Sequence, residues 1–326
     1  MVSGHHGAFY IIRQDNAPGT ATAMGNPETP PPRIAAIEAG GSKCLAVVGS
    51  QVTAHHPYHS IATHDPEITL HSILSFLRRE FNQRPFQSIG VATFGPVGIQ
   101  KKQADYGVIG PTPKVGWQGV NYVEALEEFK VPIVVDSDVN SAALAESCVG
   151  VARGCPRVIY VTVGTGIGGG IILEGRPSNG LGHPELGHMT IAAHPDDPRP
   201  KGSCSFHGHC LEGLASGAAI LKRWGAPLSE LPPHHPAHAL TSYYIAQMCL
   251  NLTLTLMPDA LVLGGGVMET PGLRGAVCQQ FRNLMAGYLP RWNSAEAVEQ
   301  LIRQPELAPI SGLVGAALMA EAALDL

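Results

Sequence analysis

The chain has 326 residues, 44% of them hydrophobic and 14% charged, with seven cysteines and a formal net charge of -5. These values exclude a disordered, collagenous or coiled-coil protein. At about 150 residues per domain they predict two domains that bury roughly 75% of their unfolded surface without disulfide staples. The acidic balance excludes a basic field that would hold nucleic acid or an anionic membrane by charge alone, and the odd cysteine count points to a reducing compartment. No cationic segment followed by an apolar run opens the chain, so no signal peptide is expected. The apolar stretch near 245–257 is interrupted by Gln247 and Asn251 and falls short of the roughly 18 apolar residues of a membrane span. A cytoplasmic protein without membrane or nucleic-acid partners is the expectation.

Residues 1–32 are rich in Gly, Pro, Ala and Thr and read as a disordered tail in which His5 and His6 are incidental. From residue 34, IAAIEAGGSKCLAVVGS reads as strand, Gly-Gly turn, strand. QSIGVATFG (87–95) and VPIVVDSD (131–138) are further buried strands. Between them NYVEALEEFK (121–130) is a helix, with Asn121 and Glu124 at capping-box spacing and Tyr122, Leu126 and Phe129 on one face. VIYVTVGTGIGGGIIL (158–173) repeats the strand–glycine–strand plan, which predicts an internally duplicated α/β fold with a cleft between the halves. Residues 175–210, rich in Gly, Pro and His, read as an insertion. LEGLASGAAILKRWG reads as one helix and PLSELPPHHPAHA as a loop. Helices near 239–257 and 273–288, a strand at 260–266 and a final helix SGLVGAALMAEAAL complete the chain.

Three glycine clusters follow strands: Gly40-Gly41, Gly164 through Gly170, and Gly264-Gly265-Gly266. A plain tight turn explains any one of them. Three at equivalent strand ends point to backbone N–H groups that receive phosphate. Gly164-x-Gly166-x-x-Gly169 formally matches the dinucleotide fingerprint, but a strand-like run follows where a helix is required, so a dehydrogenase is disfavoured. A hairpin turn with Thr165 adding a hydroxyl is the better reading. His188, Cys204, His207 and Cys210 supply two thiolates and two imidazoles, a set suited to tetrahedral Zn²⁺. With four protein ligands no position stays open for water, so the ion's role is structural; His183, His194 and His209 are nearby competitors. Asp138 ends an apolar strand just before a helix. That position suits a helix N-cap and a general base equally well.

IEAGGSK (37–43), TFGPVG (93–98), PTPKVGW (111–117), DSDVNSAALAE (136–146), VTVGTGIGGG (161–170), HPELGH (183–188), CSFHGHCLEGLASG (204–217) and VLGGGV (262–267) together resemble the ROK family of bacterial sugar kinases, its fructokinase branch above all. The resemblance spans about residues 34–326. It implies a duplicated actin-like (ribonuclease H-like, hexokinase-type) ATPase fold. Its lobes would be 33–152 and 153–326, with a zinc loop at 183–212 and the final helix free to pack back on the first lobe. It implies Asp138 as the base that activates a sugar hydroxyl, and Glu185, His188 and Glu212 as sugar contacts, His188 doubling as a zinc ligand. Gly40, Gly41 and Lys43 would form the first phosphate loop, Thr165, Gly166 and Gly168 the second, and Gly264, Gly265 and Gly266 the adenosine loop. ATP, Mg²⁺ and Zn²⁺ are the implied cofactors, and a homodimer the implied assembly. Glu38 and Ser137 stand where glucokinases of the family often carry Asp and Asn, and Ala218 stands where Pro is frequent. The first two favour fructose over glucose, with mannose and glucose as alternatives. ROK-type repressors share the scaffold but carry an N-terminal helix-turn-helix, for which the first 33 residues are too short and too rich in Pro and Gly.

Overall fold

The computed structural model describes residues 31–112 and 114–325. The expected tail at 1–32 therefore lies almost wholly outside the described residues. The chain divides into two compact units. One comprises residues up to Ser141 together with Gly312–Leu326, the other Ala142–Ser311.

In the first unit, β1 (Ile34–Ala39), β2 (Lys43–Gly49), β3 (His59–Ala62), β4 (Ile89–Thr93) and β5 (Ile133–Ser137) form one sheet in the order β3-β2-β1-β4-β5. β2 runs antiparallel to β1 and β3, whereas β1, β4 and β5 are parallel. Parallel strands are covered on both faces, which is why IAAI, IGVAT and IVV read as unbroken apolar runs rather than alternations. Register aligns Ala39 with Thr93 and Thr93 with Ser137, so three strands end at one edge.

The helix expected at 121–130 forms as α2 (Tyr122–Leu126) and a 3-10 turn at Glu127–Phe129. Asn121 Oδ1 accepts from the N–H groups of Val123 and Glu124 at 2.9 and 3.3 Å, and Tyr122, Leu126 and Phe129 are buried as the periodicity predicts. α1 (Pro66–Gln83), in a stretch for which the sequence offered no element, starts from Asp65, whose Oδ1 accepts from Ile68 N at 3.1 Å. α3 (Asp138–Cys148) runs from the first unit into the second.

The second unit repeats the first. β6 (Arg157–Val163), β7 (Ile167–Leu173), β8 (Arg176–Pro177), β9 (Ala260–Gly264) and β10 (Ile302–Arg303) form a sheet in the order β10-β9-β6-β7-β8, antiparallel across β6-β7-β8 and parallel across β6-β9-β10. Order and direction match the first sheet strand for strand, so the duplication expected from two glycine hairpins is real at the level of topology.

The single helix expected at LEGLASGAAILKRWG is two, α4 (Leu211–Ala215) and α5 (Gly217–Trp224). Ser216 takes extended backbone between them, and its Oγ caps α5 by accepting from Ala219 N at 3.1 Å. The Pro/His-rich loop is also shorter than expected, because Pro236 already opens α6 (Pro236–Leu256), with His235 Nδ1 accepting from Ala237 N at 3.2 Å. α6 packs with α7 (Leu273–Met285) and buries Leu240, Tyr244, Ile245, Met248, Cys249 and Leu252 in the core of this unit. Each large apolar side chain among them contributes about 1.5–3 kcal/mol. α8 (Ala295–Leu301) leads into β10, and α9 (Ser311–Ala322) returns the chain to the first unit, where buried Ser88 Oγ donates to Ala320 O at 2.6 Å. Among the described residues no helix is long and apolar enough to cross a membrane.

Candidate functional site

The edge where β1, β4 and β5 end gathers the first group. The turn after β1 is closed by Gly40 N–H donating to Lys43 O at 3.0 Å. Lys114, 73 residues away in sequence, donates from Nζ to Gly41 O, and its ammonium also lies 5.1 Å from the Phe94 ring centre. The glycine turn thus has a second cation besides Lys43. Sequence reading missed Lys114 because nothing local marks it, although it lies within the PTPKVGW motif.

Asp138 is the first residue of α3. The cap role left open for it belongs to its neighbour: Ser137 Oγ accepts from Asn140 N at 3.2 Å. Buried Asp136 fixes the turn, its Oδ1 accepting from Ser137 N and Asn140 Nδ2, both at 2.7 Å. Asp138 Oδ1 accepts from Val139 N at 2.9 Å, and the side chain is half-buried. A second carboxylate shares its surroundings. Glu38 accepts from Leu313 N at 2.9 Å through Oε2. Burial, and next the negative charge of Asp138, push its pKa from the ordinary 4.5 up to about 7, against smaller opposing effects of the Leu313 N–H and Lys43. Glu38 and Asp138 lie 100 positions apart, and sequence reading treated Glu38 only as a departure from a pattern.

In the second unit Gly164, Thr165 and Gly166 form the β6–β7 turn, closed by Gly164 N–H donating to Gly166 O at 2.9 Å. Gly168 lies within β7, opposite Thr162. The start of α5 is tied to this turn: Gly217 N donates to Gly164 O at 2.7 Å and Ala218 N to Thr165 O at 3.3 Å. Gly264 ends β9 in register with Thr162, so the third glycine cluster leaves the sheet at the same edge. Gly265 has φ +89°, and a Cβ there would come within 2.6 Å of Val163 O; only glycine serves. Glu212, on α4, accepts from Ile167 N at 2.9 Å through Oε2. Exposed Glu185 has its Oε1 3.7 Å from His183 Nδ1. Gly187 lies so close to β7 that a Cβ would sit 1.9 Å from Ile167 O, which anchors the HPELGH segment against the strand.

His188, Cys204, His207 and Cys210 converge, with one ligand atom of each within 4.8 Å of all the others. His188 Nδ1 is 3.8 Å from Cys204 Sγ and 3.6 Å from Cys210 Sγ, and Cys204 Sγ is 3.9 Å from His207 Nδ1. A tetrahedral zinc with bonds of about 2.0–2.3 Å separates its ligands by about 3.3–3.8 Å, close to the 3.6–3.9 Å of these three pairs, and the donor set of two thiolates and two imidazoles suits that ion. A tight backbone loop holds Cys204 in place: Cys204 N donates to Gly208 O at 3.1 Å and Gly208 N to Cys204 O at 3.0 Å. The competitors are occupied elsewhere or outside the cluster. His194 Nδ1 accepts from Asp196 N at 3.1 Å, and His183 faces Glu185.

The family model described as the ROK family matches residues 34–323. The chain belongs to the ROK family. It is 37% identical over 292 residues to the fructokinase of Zymomonas mobilis subsp. mobilis, covering 88% of this chain and 96% of that protein. It is likewise 37% identical over 292 residues to the fructokinase of Pediococcus pentosaceus, with 89% and 98% covered. Among solved structures, the ROK hexokinase from Thermus thermophilus superposes with a TM-score of 0.70 at 27% identity, over 90% of this chain and 99% of that one. The matched pair of sheets is therefore the actin-like, hexokinase-type α/β fold of ROK kinases.

Proposed function

We propose that this ROK protein is a fructokinase that transfers the γ-phosphoryl group of ATP to fructose, giving fructose 6-phosphate. The likeness to fructokinases over nearly their full length supports the substrate. The observation that carries the chemistry is Asp138: a carboxylate relieved of the cap role by Ser137, at the sheet edge that also bears the Gly40–Gly41 turn with Lys43 and Lys114. Asp138 takes the proton of the accepting hydroxyl as the oxygen attacks phosphorus. Phosphoryl transfer asks mainly for positioning and charge stabilisation, so one base and a set of N–H donors and cations suffice. The nucleotide enters as its Mg²⁺ complex. Lys43 and the N–H groups of Gly40 and Gly41 form the first phosphate loop, Thr165, Gly166 and Gly168 the second, and Gly264, Gly265 and Gly266 receive the adenosine.

Glu185, His188 and Glu212 contact sugar hydroxyls. Zn²⁺, held by His188, Cys204, His207 and Cys210, would supply rigidity rather than reactivity, because all four positions of a tetrahedral ion are taken by protein. Cys210 ends the metal loop two residues before Glu212, and His188 follows Glu185 by three, so this cluster fixes both ends of the sugar-contact segment. A homodimer in the cytoplasm is the proposed setting.

A panel measuring ADP release with fructose, mannose, glucose and no sugar tests the reading. Fructose is expected to give the highest kcat/KM and the no-sugar control almost none. Preference for glucose or mannose would reassign the substrate, and silence with all three would remove the kinase reading.

A further inference from the structure

Beside the metal ligands, and lined by none of the site residues assigned above, the second unit carries a small cleft formed by Arg199, Gly202, Ser203, Ala219, Lys222 and Arg223. Three of the six are cations and none is acidic. The Arg223 side chain is only 3% exposed. A guanidinium offers five donors. Here Nη1 donates to Leu214 O at 2.8 Å. Nε lies 3.2 Å from Asp197 Oδ1, an ion pair, yet in a geometry that leaves it without a hydrogen bond. Asp197 is already engaged, with Oδ1 accepting from Arg199 N at 2.8 Å and Oδ2 from Tyr244 OH at 2.6 Å. This buried carboxylate thus pairs with one of the three cations, Arg223. At the rim, exposed Arg199 donates from Nη1 to Lys222 O at 3.0 Å, and neither rim side chain forms an ion pair with an acidic residue among the described residues.

We propose that this cleft binds a small phosphoryl oxyanion, either inorganic phosphate or the phosphate end of a sugar phosphate. Guanidinium forks match phosphate oxygens in shape and charge, and a buried guanidinium with unused donors gains most from such a partner. At about 20 Å³ the cleft is a shallow depression, far below the roughly 300–1,000 Å³ of pockets that enclose a whole drug-sized ligand, so a nucleotide's base and ribose find no room. The cleft also adjoins the metal loop. Ser203 precedes Cys204, and its N–H and Oγ both donate to Gly213 O, at 2.9 and 3.2 Å, next to Glu212. A bound anion braces this stretch. Only its influence on turnover rests on the kinase reading; the binding does not.

The test is isothermal titration of inorganic phosphate, then of fructose 6-phosphate, into the wild type, the double variant Arg199→Ala/Lys222→Ala, and Lys43→Ala, at ionic strength fixed with chloride. Lys43→Ala separates this cleft from the first glycine turn. A saturable phosphate site is expected in the wild type and in Lys43→Ala, weakened about tenfold or more in the double variant. Both replaced side chains are exposed, so the double variant keeps its fold, verified by an unchanged thermal midpoint. Equal phosphate affinity in the wild type and the double variant overturns the site, as does the absence of saturable binding in the wild type. A gain in affinity for fructose 6-phosphate over phosphate that vanishes in the double variant identifies a sugar phosphate as the ligand; equal affinities identify free phosphate. The sugar panel is read independently, so failure of one proposal leaves the other standing.

Discussion

In the first sheet, the edge where β1 and β5 end carries Glu38, Lys43 and Asp138. In the second, the matching edge of β6 and β9 carries Gly164, Thr165, Gly166, Gly264 and Gly265. Strand order and direction are the same in both. Near the end of the first strand the acidic Glu38 stands in one sheet and the neutral Thr162 in the other. The fifth strand ends at Ser137 in one and hands the chain directly to Asp138. In the other it closes on Arg303, whose guanidinium is spent on Val151 O and Gln300 O. One scaffold, used twice, therefore presents charged side chains at the sheet edge of one copy and glycine-rich turns at the matching edge of the other. Topology alone says nothing about which copy does which.

That contrast can be broken experimentally. The largest effect is expected from Asp138→Asn, which should retain fructose binding and lose on the order of 10² to 10⁴ in kcat; near-normal turnover would take the reactive role away from the first sheet. Next, removing the metal should weaken the second unit alone. Chelation or Cys210→Ser should raise the KM for fructose by about 10- to 100-fold with a smaller change in KM for ATP. The purified protein should contain zinc, and less than about half an equivalent per chain would count against the cluster.

A third effect is pH-dependent. Folding holds the Glu38 proton more tightly than the unfolded chain does, so its stabilising contribution is complete below about pH 4.5 and is lost as pH rises through about 7. That window corresponds to at most about 3 kcal/mol. Urea unfolding of the wild type and Glu38→Gln at about pH 5 and about pH 8 should show the wild type losing more stability across the interval; parallel losses would mean that Glu38 is not held protonated. The smallest effect is local: Asn121→Ala should cost about 1 kcal/mol of stability and leave the sugar preference unchanged.

How much could be read from residues alone follows the same division. Glycine hairpins, buried parallel strands and the Asn121 cap are local patterns, and they formed where expected. The convergence of His188, Cys204, His207 and Cys210 was legible because two of only seven cysteines flank a histidine at C-x-x-H-x-x-C spacing. α1 was not, because it buries only Thr69, Ile73, Phe76 and Leu77 and carries Arg78, Arg79 and Glu80, leaving a thin apolar stripe; Asp65-Pro66, a cap followed by proline at the first turn, was the usable signal. Ser216 was hidden because a serine inside an apparently helical run looks like a tolerated polar residue until its Oγ is seen capping the next helix. Lys114 beside Gly41 and Glu38 beside Asp138 depend on sheet register and loop return, which no short window of sequence contains.

The return of α9 to the first unit has a consequence for biosynthesis. Residues 142–311 are contiguous and emerge from the ribosome as a complete set. The earlier-made strands β1 and β4 must wait for the last fifteen or so residues, since Glu38 takes its N–H donor from Leu313 and Ser88 finds its acceptor at Ala320. The half translated first is thus the half finished last, which reverses the usual N-to-C order of domain maturation. A nascent chain stalled short of residue 312 would display an ordered middle and an unfinished beginning.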